Sequence, residues 1–272
     1  MSGGQAQGRV LIVAGSDSGG GAGVQGDIKA VTVLGGYAAS AITALTAQNT
    51  LGVFGIHDIP AAFVVRQMEV VLSDIGADAI KTGMLHNAAL IDVVCDVIES
   101  KAPDVPVVVD PVMVAKGGAV LLEPSARATL KRRLAFLATI LTPNVPEAET
   151  LTGMTIGDLD TMRRAAEVLL TIGPQAVLLK GGHLPGEEVH DLFVTPDRTE
   201  MFSSPRIETL HTHGTGCVLA SAIATGLAQG LALRDSVLRA RAFVRAAILC
   251  APGLGKGHGP LGFGHTVRPF DG

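Results

Sequence analysis

The chain has 272 residues, with 21 Lys and Arg against 25 Asp and Glu, a formal net charge of −4 and no Trp. Hydrophobic residues make up 47% and charged residues 17%, against a usual charged share of about 25%, so an aliphatic core is available and extensive disorder is excluded. The length and the absence of a linker predict one domain over 9–272 behind a flexible polar tail over 1–8.

The charge balance and the lack of a basic run argue against nucleic acid as a partner, because neutralising phosphates takes clustered Lys and Arg. Few aromatics leave few stacking platforms for single strands. Cys95, Cys217 and Cys250 are odd in number and far apart, which gives neither a disulfide framework nor a zinc pattern and points to a reducing cytoplasm. The most apolar stretch, VLASAIATGLAQGLAL from Val218, is too short and too rich in small and polar residues to span a membrane.

Short aliphatic runs recur along the chain: RVLIVAG at 9–15, YAASAITAL at 37–45, DAIKTG at 78–83, VPVVVD at 105–110, ATILTPN at 138–144 and QAVLLKGG at 175–182. Between them apolar residues fall three and four apart, as in Val64, Met68, Val71 and Leu72, in Leu90, Val94, Val97 and Ile98, and in Met162, Ala166, Leu169 and Leu170. This alternation predicts parallel strands buried on both faces and covered by helices. Polar residues gather where the runs end: Ser16 and Asp17, Lys81 and Thr82, Asp110, Asn144 and Glu147, then Lys180. The carboxyl ends of an open parallel sheet share one edge, and ligands bind there.

Two glycine-rich loops carry the first chemical signals. Gly15-Ser-Asp-Ser-Gly-Gly-Gly-Ala-Gly23 leads from a strand into a helix and could bring backbone N–H groups close to a ligand. Gly21, Gly23 and Gly26 match a dinucleotide fingerprint in spacing, but they begin too far beyond the strand and no acidic residue follows to hold a ribose. His213-Gly-Thr-Gly-Cys217 opens a small-residue helix whose first-turn N–H groups and dipole form an anion hole for a phosphate in transfer. The same field is expected to lower the Cys217 thiol below its free value.

Asp110 and Glu147, with Asn144, would repel a polyphosphate unless a divalent cation lay between them, which predicts Mg²⁺ and a nucleotide. A helix-capping role for Glu147 is the alternative, since Pro143 and Pro146 mark a turn. Lys180, ahead of Gly181-Gly182, could supply a fixed positive charge to the same phosphates. The histidines, including His57, His183, His211 and His213, lack ligand spacing and are expected to be structural.

Taken in order, LIVAGSDSGGGAGVQGDIKA, ITALTAQNT, IKTGML, DPVMVAKGG, LTPNVPEAE, LKGGH, HGTGC and GKGHGP resemble the ribokinase-like superfamily, and within it the hydroxymethylpyrimidine and phosphomethylpyrimidine kinases of thiamine biosynthesis. The resemblance implies an α/β fold with a central, mostly parallel sheet, a homodimer, and ATP with Mg²⁺. It implies an anion hole at Gly214, Thr215, Gly216 and Cys217, with Cys217 standing where most sugar kinases carry an aspartate base. Lys180, Asn144 and Thr215 are the expected nucleotide contacts, and Asp110 and Glu147 the expected metal carboxylates.

On the same resemblance the pyrimidine would lie near Gly15, Asp27, Gln48 and Met84. Gln48 stands where many members have glutamate, and Gly19 and Gly26 where serine and alanine are more usual. The implied activity is ATP-dependent phosphorylation of 4-amino-5-hydroxymethyl-2-methylpyrimidine and then of its monophosphate. A pyridoxal kinase and a non-catalytic nucleotide-binding regulator remain as alternatives.

Overall fold

The computed structural model of the chain describes residues 8–267. The predicted tail lies outside the described residues except for Gly8, which is buried, its carbonyl accepting from Tyr37 N at 3.0 Å. In chain order the elements are β1 (Arg9–Asp17), α1 (Gly23–Val33), β2 (Tyr37–Asn49), β3 (Gly52–Asp58), α2 (Ala61–Asp74), β4 (Ala79–Thr82) and α3 (Ala88–Lys101). There follow β5 (Val107–Val109), a short α4 (Arg127–Thr129) running into a π turn, β6 (Ile140–Leu141), α5 (Val145–Thr152) and α6 (Leu159–Leu170). The chain continues through β7 (Val177–Lys180), β8 (Glu188–Thr195), β9 (Arg198–Pro205), α7 (Thr215–Ala228) and α8 (Leu233–Leu249).

One nine-stranded sheet runs in the order β3-β2-β1-β4-β5-β6-β7-β8-β9. The six predicted runs form its parallel centre, while β3 on one edge and β8 and β9 on the other pair antiparallel. These three strands were not marked by the sequence pattern, because half-exposed hairpin strands lack the continuous aliphatic runs of the centre.

Strand periodicity divides the core into two layers. Leu11 and Val13 of β1 pack with α2, α3, α5 and α6, while Val10, Ile12 and Ala14 pack with α1, α7 and α8. The predicted stripes face inwards: Val64 and Met68 of α2, Leu90, Val94, Val97 and Ile98 of α3, and Met162, Ala166 and Leu169 of α6 are buried. α7 differs, being buried continuously from Val218 to Gly226. Its small residues allow close approach, for a Cβ on Gly226 would lie 2.5 Å from Ser236 Oγ of α8. The helix that carries the predicted anion hole is thus clamped inside the domain.

Candidate active site

The carboxyl ends of the parallel strands open into one cleft of about 920 Å³. Sheet order spaces its contents: Gly15, Gln48 and Met84 come from the β1, β2 and β4 side, Asp110, Asn144 and Glu147 from the middle, and Lys180 from the β7 side. Gly214, Thr215, Gly216 and Cys217 line it from the tip of α7, and the far end carries Ile207, Leu219, Leu238 and Ile248 beside Arg206, Arg241 and Arg245.

Gly214 starts α7 in a left-handed conformation, φ 84°, which favours glycine. The Thr215 N–H makes a long 3.4 Å bond to Thr212 O. The Gly216 and Cys217 N–H groups have no protein acceptor among the described residues, as first-turn amides lack intrahelical partners. Gly216 also lets the tip approach the charged residues, since a Cβ there would lie 3.2 Å from Lys180 Nζ and 3.6 Å from Asp110 Oδ2. The α7 tip thus presents two open backbone donors beside a lysine.

The first glycine loop has a different job from the one its composition suggested. Asp17 is buried and its carboxylate accepts from the N–H groups of Gly19 (2.8 Å), Gly21 (3.1 Å) and Ala22 (2.8 Å). Those amides are consumed internally and are not available to a ligand. Asp17 also accepts from His213 Nε2 at 2.8 Å. Burial works against the charge on Asp17, but the bonds from His213, Ala22 and Gly19 outweigh it and hold the carboxyl below its usual value. A Cβ on Gly214 would run into Gly21 O, and one on Gly21 would lie 2.5 Å from His213 Cδ2. The two glycine loops thus meet backbone to backbone, and the first is a brace for the second.

A carboxylate only accepts, so His213 Nε2 carries the hydrogen. Gln48 Nε2, 3.4 Å from that nitrogen, is then left as an unused donor in the cleft, while its Oε1 lies 3.2 Å from Thr46 Oγ1, whose hydrogen goes to Ser16 O at 2.8 Å. Met84 is nearly buried and forms an apolar cluster with Ala44 and Leu121, against which Val112 and Ala115 pack. Gly15 lies beneath it, where a Cβ would come within 3.0 Å of Met84 Sδ.

Lys180 Nζ donates to Asp110 Oδ1 at 3.1 Å. Burial opposes its charge, yet Asp110 and Glu147 more than compensate and raise its pKa. Asn144 and Glu147 form a reciprocal capping box on α5: Asn144 Oδ1 accepts from Glu147 N at 2.9 Å and Glu147 Oε2 accepts from Asn144 N at 2.8 Å. The capping role is real, and it leaves Glu147 facing the cleft. Burial pushes its carboxyl up to about 7; Lys180 opposes the rise and Asp110 adds to it. Among the described residues no group of three His, Cys, Asp or Glu forms a metal cluster. Two carboxylates that repel one another beside open phosphate donors nonetheless suit a cation that takes its remaining ligands from phosphate and water.

Two expectations need correction. Cys217 lies at the tip as predicted, but its thiol is pushed up to about 12 rather than lowered. Burial is the largest cause, joined by Asp110 and Asp27, and these outweigh Lys81 and the Gly23 N–H. Cys217 as a residue is partly exposed and lines the cleft, while its thiol is buried. A helix dipole alone does not make a thiolate where carboxylates crowd the same sulfur.

Asp27 does not line the cleft as expected for a pyrimidine contact. Its Oδ2 accepts from Lys81 Nζ at 2.7 Å and its Oδ1 from Ser221 Oγ at 2.7 Å, and all of it is buried. α1 and α7 enclose it together with β4. Lys81, which reads in sequence as a polar strand end, is a fully buried partner with its pKa raised by Asp27 despite burial. The far-end group of Ile207, Leu219, Leu238 and Ile248 and the position of His213 also escaped the sequence reading; only the HGTGC spacing could have hinted at the latter.

A family model described as phosphomethylpyrimidine kinase matches residues 17–262. The chain belongs to the phosphomethylpyrimidine kinase family. It is 53% identical over 255 residues to the thiamine biosynthesis bifunctional protein ThiED of Geobacter sulfurreducens, covering 94% of this chain and 52% of that longer protein. Against the hydroxymethylpyrimidine/phosphomethylpyrimidine kinase of Bacillus subtilis identity is 47%, with 93% of each covered. The pyridoxal kinase of Staphylococcus aureus, solved with AMP-PCP and pyridoxal, superposes with a TM-score of 0.87 at 32% identity, covering 96% of this chain and 95% of that one. Family membership and the ribokinase-like architecture thus agree with the order of motifs along the chain.

Proposed function

We propose that the chain transfers the γ-phosphoryl group of ATP to the hydroxymethyl group of 4-amino-5-hydroxymethyl-2-methylpyrimidine and then to the resulting monophosphate, in thiamine biosynthesis. The observation that carries this reading is the meeting, at one rim, of the free Gly216 and Cys217 N–H groups with the Lys180, Asp110 and Glu147 cluster. The relatives' names support the choice of acceptor.

The acceptor ring would sit against Met84 with Gln48 Nε2 offering its unused donor to a ring nitrogen. The apolar side chains of Ile207, Leu219 and Leu238 at the far end suit the nucleotide base. The acceptor oxygen attacks the γ-phosphorus in line; a new P–O bond forms, the bond to the β-phosphate oxygen breaks, and ADP leaves. Gly216 and Cys217 amides and Lys180 hold the charge on the transferring group. Asp110 and Glu147 would hold Mg²⁺, which when bound neutralises phosphate charge. The acceptor proton passes to Cys217, which accepts it only as thiolate. Lys81 favours that form, while burial and the two aspartates oppose it.

The likeness to the Staphylococcus aureus pyridoxal kinase supports a second reading, for pyridoxal is another flat nitrogen heterocycle bearing CH₂OH. A non-catalytic regulator is disfavoured because the chemical side chains converge with open donors. The three free cysteines fit a cytoplasmic location. The exposed hairpin residues Leu51 and Phe54, the latter 71% exposed within the edge strand β3, fit a homodimer surface. ADP release measured with the pyrimidine alcohol, its monophosphate and pyridoxal tests the reading: turnover of both pyrimidines above pyridoxal is expected, and a preference for pyridoxal overturns it.

A further inference from the structure

The segment between β5 and α4 folds into a small hairpin. Val114 pairs with Val120, Ala115 N donates to Ala119 O at 2.8 Å, and Leu121 N donates to Met113 O at 2.9 Å. Val112, Ala115 and Leu121 roof the apolar pocket of Met84. Lys116 follows Ala115 directly and turns its ammonium to Thr212 Oγ1 at 2.6 Å. Thr212 lies two residues before Gly214, so Lys116 joins the roof of the acceptor pocket to the base of the anion hole.

Among the three lysines that line the cleft, Lys116 stands apart. Lys81 is paired with Asp27 and Lys180 with Asp110. Among the described residues Lys116 has a hydroxyl as its partner and no carboxylate in ion-pair range. Its field reaches across the cleft, where burial, Lys116 and then Lys180 hold the His183 imidazole below its usual pKa. Burial likewise lowers Lys116 itself. Lys116 is exposed at the edge of the cleft, so an incoming anion can reach its ammonium.

A neutral alcohol acceptor brings no such anion. Its monophosphate brings a charge of about −2, placed on the CH₂O substituent and hence at the seam between ring pocket and anion hole. We propose that Lys116 is a specificity-determining residue for the phosphorylated acceptor, releasing Thr212 to bind the acceptor's own phosphate while Lys180 and the α7 tip hold the transferring group. The inference rests on the two-acceptor reading above.

The test compares wild type, Lys116→Met and Lys116→Arg with both acceptors. The ratio of kcat/KM for the monophosphate to kcat/KM for the alcohol should fall by about 10-fold or more in Lys116→Met, the scale of a lost charge-assisted hydrogen bond. The fall should lie in KM, and Lys116→Arg should restore most of it. An unchanged ratio, with both acceptors affected equally or not at all, overturns the inference. Calorimetry with the monophosphate alone, without nucleotide, separates the two failures. If wild type does not turn over the monophosphate, the two-acceptor reading fails. The inference then stands only if Lys116→Met still weakens monophosphate binding, and equal affinities overturn it.

Discussion

His213 Nε2 lies 2.8 Å from Asp17 Oδ2, joining two glycine loops 196 positions apart in the chain. Through that contact the end of β1 sets the position of the α7 tip. Asp17→Ala leaves the Gly19, Gly21 and Ala22 N–H groups without their acceptor, a loss of about 1–3 kcal/mol per buried unsatisfied group, so thermal unfolding should move down by several degrees and turnover should fall. The Asp17 carboxyl is held below its ordinary value of 3.8. Its stabilisation is therefore complete above that pH and disappears as pH drops through the lowered native value. Acid unfolding followed by circular dichroism should show a smaller loss below pH 4 in Asp17→Asn than in wild type.

Cys217→Ala should lower turnover by about 10²-fold, the scale of general-base assistance, with ATP affinity little changed. Because the thiol is pushed up to about 12, kcat/KM for the alcohol should climb with pH between about 7 and 9 as the thiolate fraction grows. A pH profile that is flat in wild type, or equally steep in Cys217→Ala, would take the sulfur out of the proton transfer.

Glu147 keeps its proton in the fold up to about 7, whereas the unfolded chain loses it near 4.5. The native state holds the extra proton between these values, so this group's contribution to stability falls as pH rises through the window. Glu147→Gln, which cannot ionise and retains an acceptor for Asn144 N–H, should flatten that pH dependence in thermal melts without nucleotide. The same variant should weaken Mg²⁺-dependent ATP binding, measured by calorimetry with and without the metal.

Lys81→Met strands the Asp27 carboxylate in the core, and breaking a buried pair on one side costs about 3–5 kcal/mol. The double variant Lys81→Met with Asp27→Asn removes the charge and keeps an acceptor for Ser221 Oγ, so it should recover most of the loss in urea unfolding. Recovery without return of full turnover would separate the pair's role in folding from its field at Cys217.

If Phe54 packs between two copies, Phe54→Glu should convert the protein to monomer in sedimentation velocity. An unchanged sedimentation coefficient would place any dimer contact elsewhere.

The central parallel strands and their helices were legible because aliphatic runs buried on both faces and three-and-four spacings leave a local trace at every element. The hairpin strands β3, β8 and β9 left none, since their residues are partly exposed and owe their pairing to neighbours. At the site, the HGTGC segment alone announced a helix tip with open amides. The turn marked by Pro143 and Pro146 already offers a capping role for Glu147, and the structure shows it.

The chain order of residue types, by itself, determined where donors, carboxylates and lysines could gather, because strand ends share one edge whatever the details of packing. Tertiary structure decided what each of them does. Asp17 turned the first glycine loop into a brace, Asp27 went to Lys81 instead of the cleft, and burial among carboxylates reversed the expected shift at Cys217. Hydrogen-bond partners, dielectric and charge at a side chain are set by atoms far away in the chain, so no local pattern could hold that information.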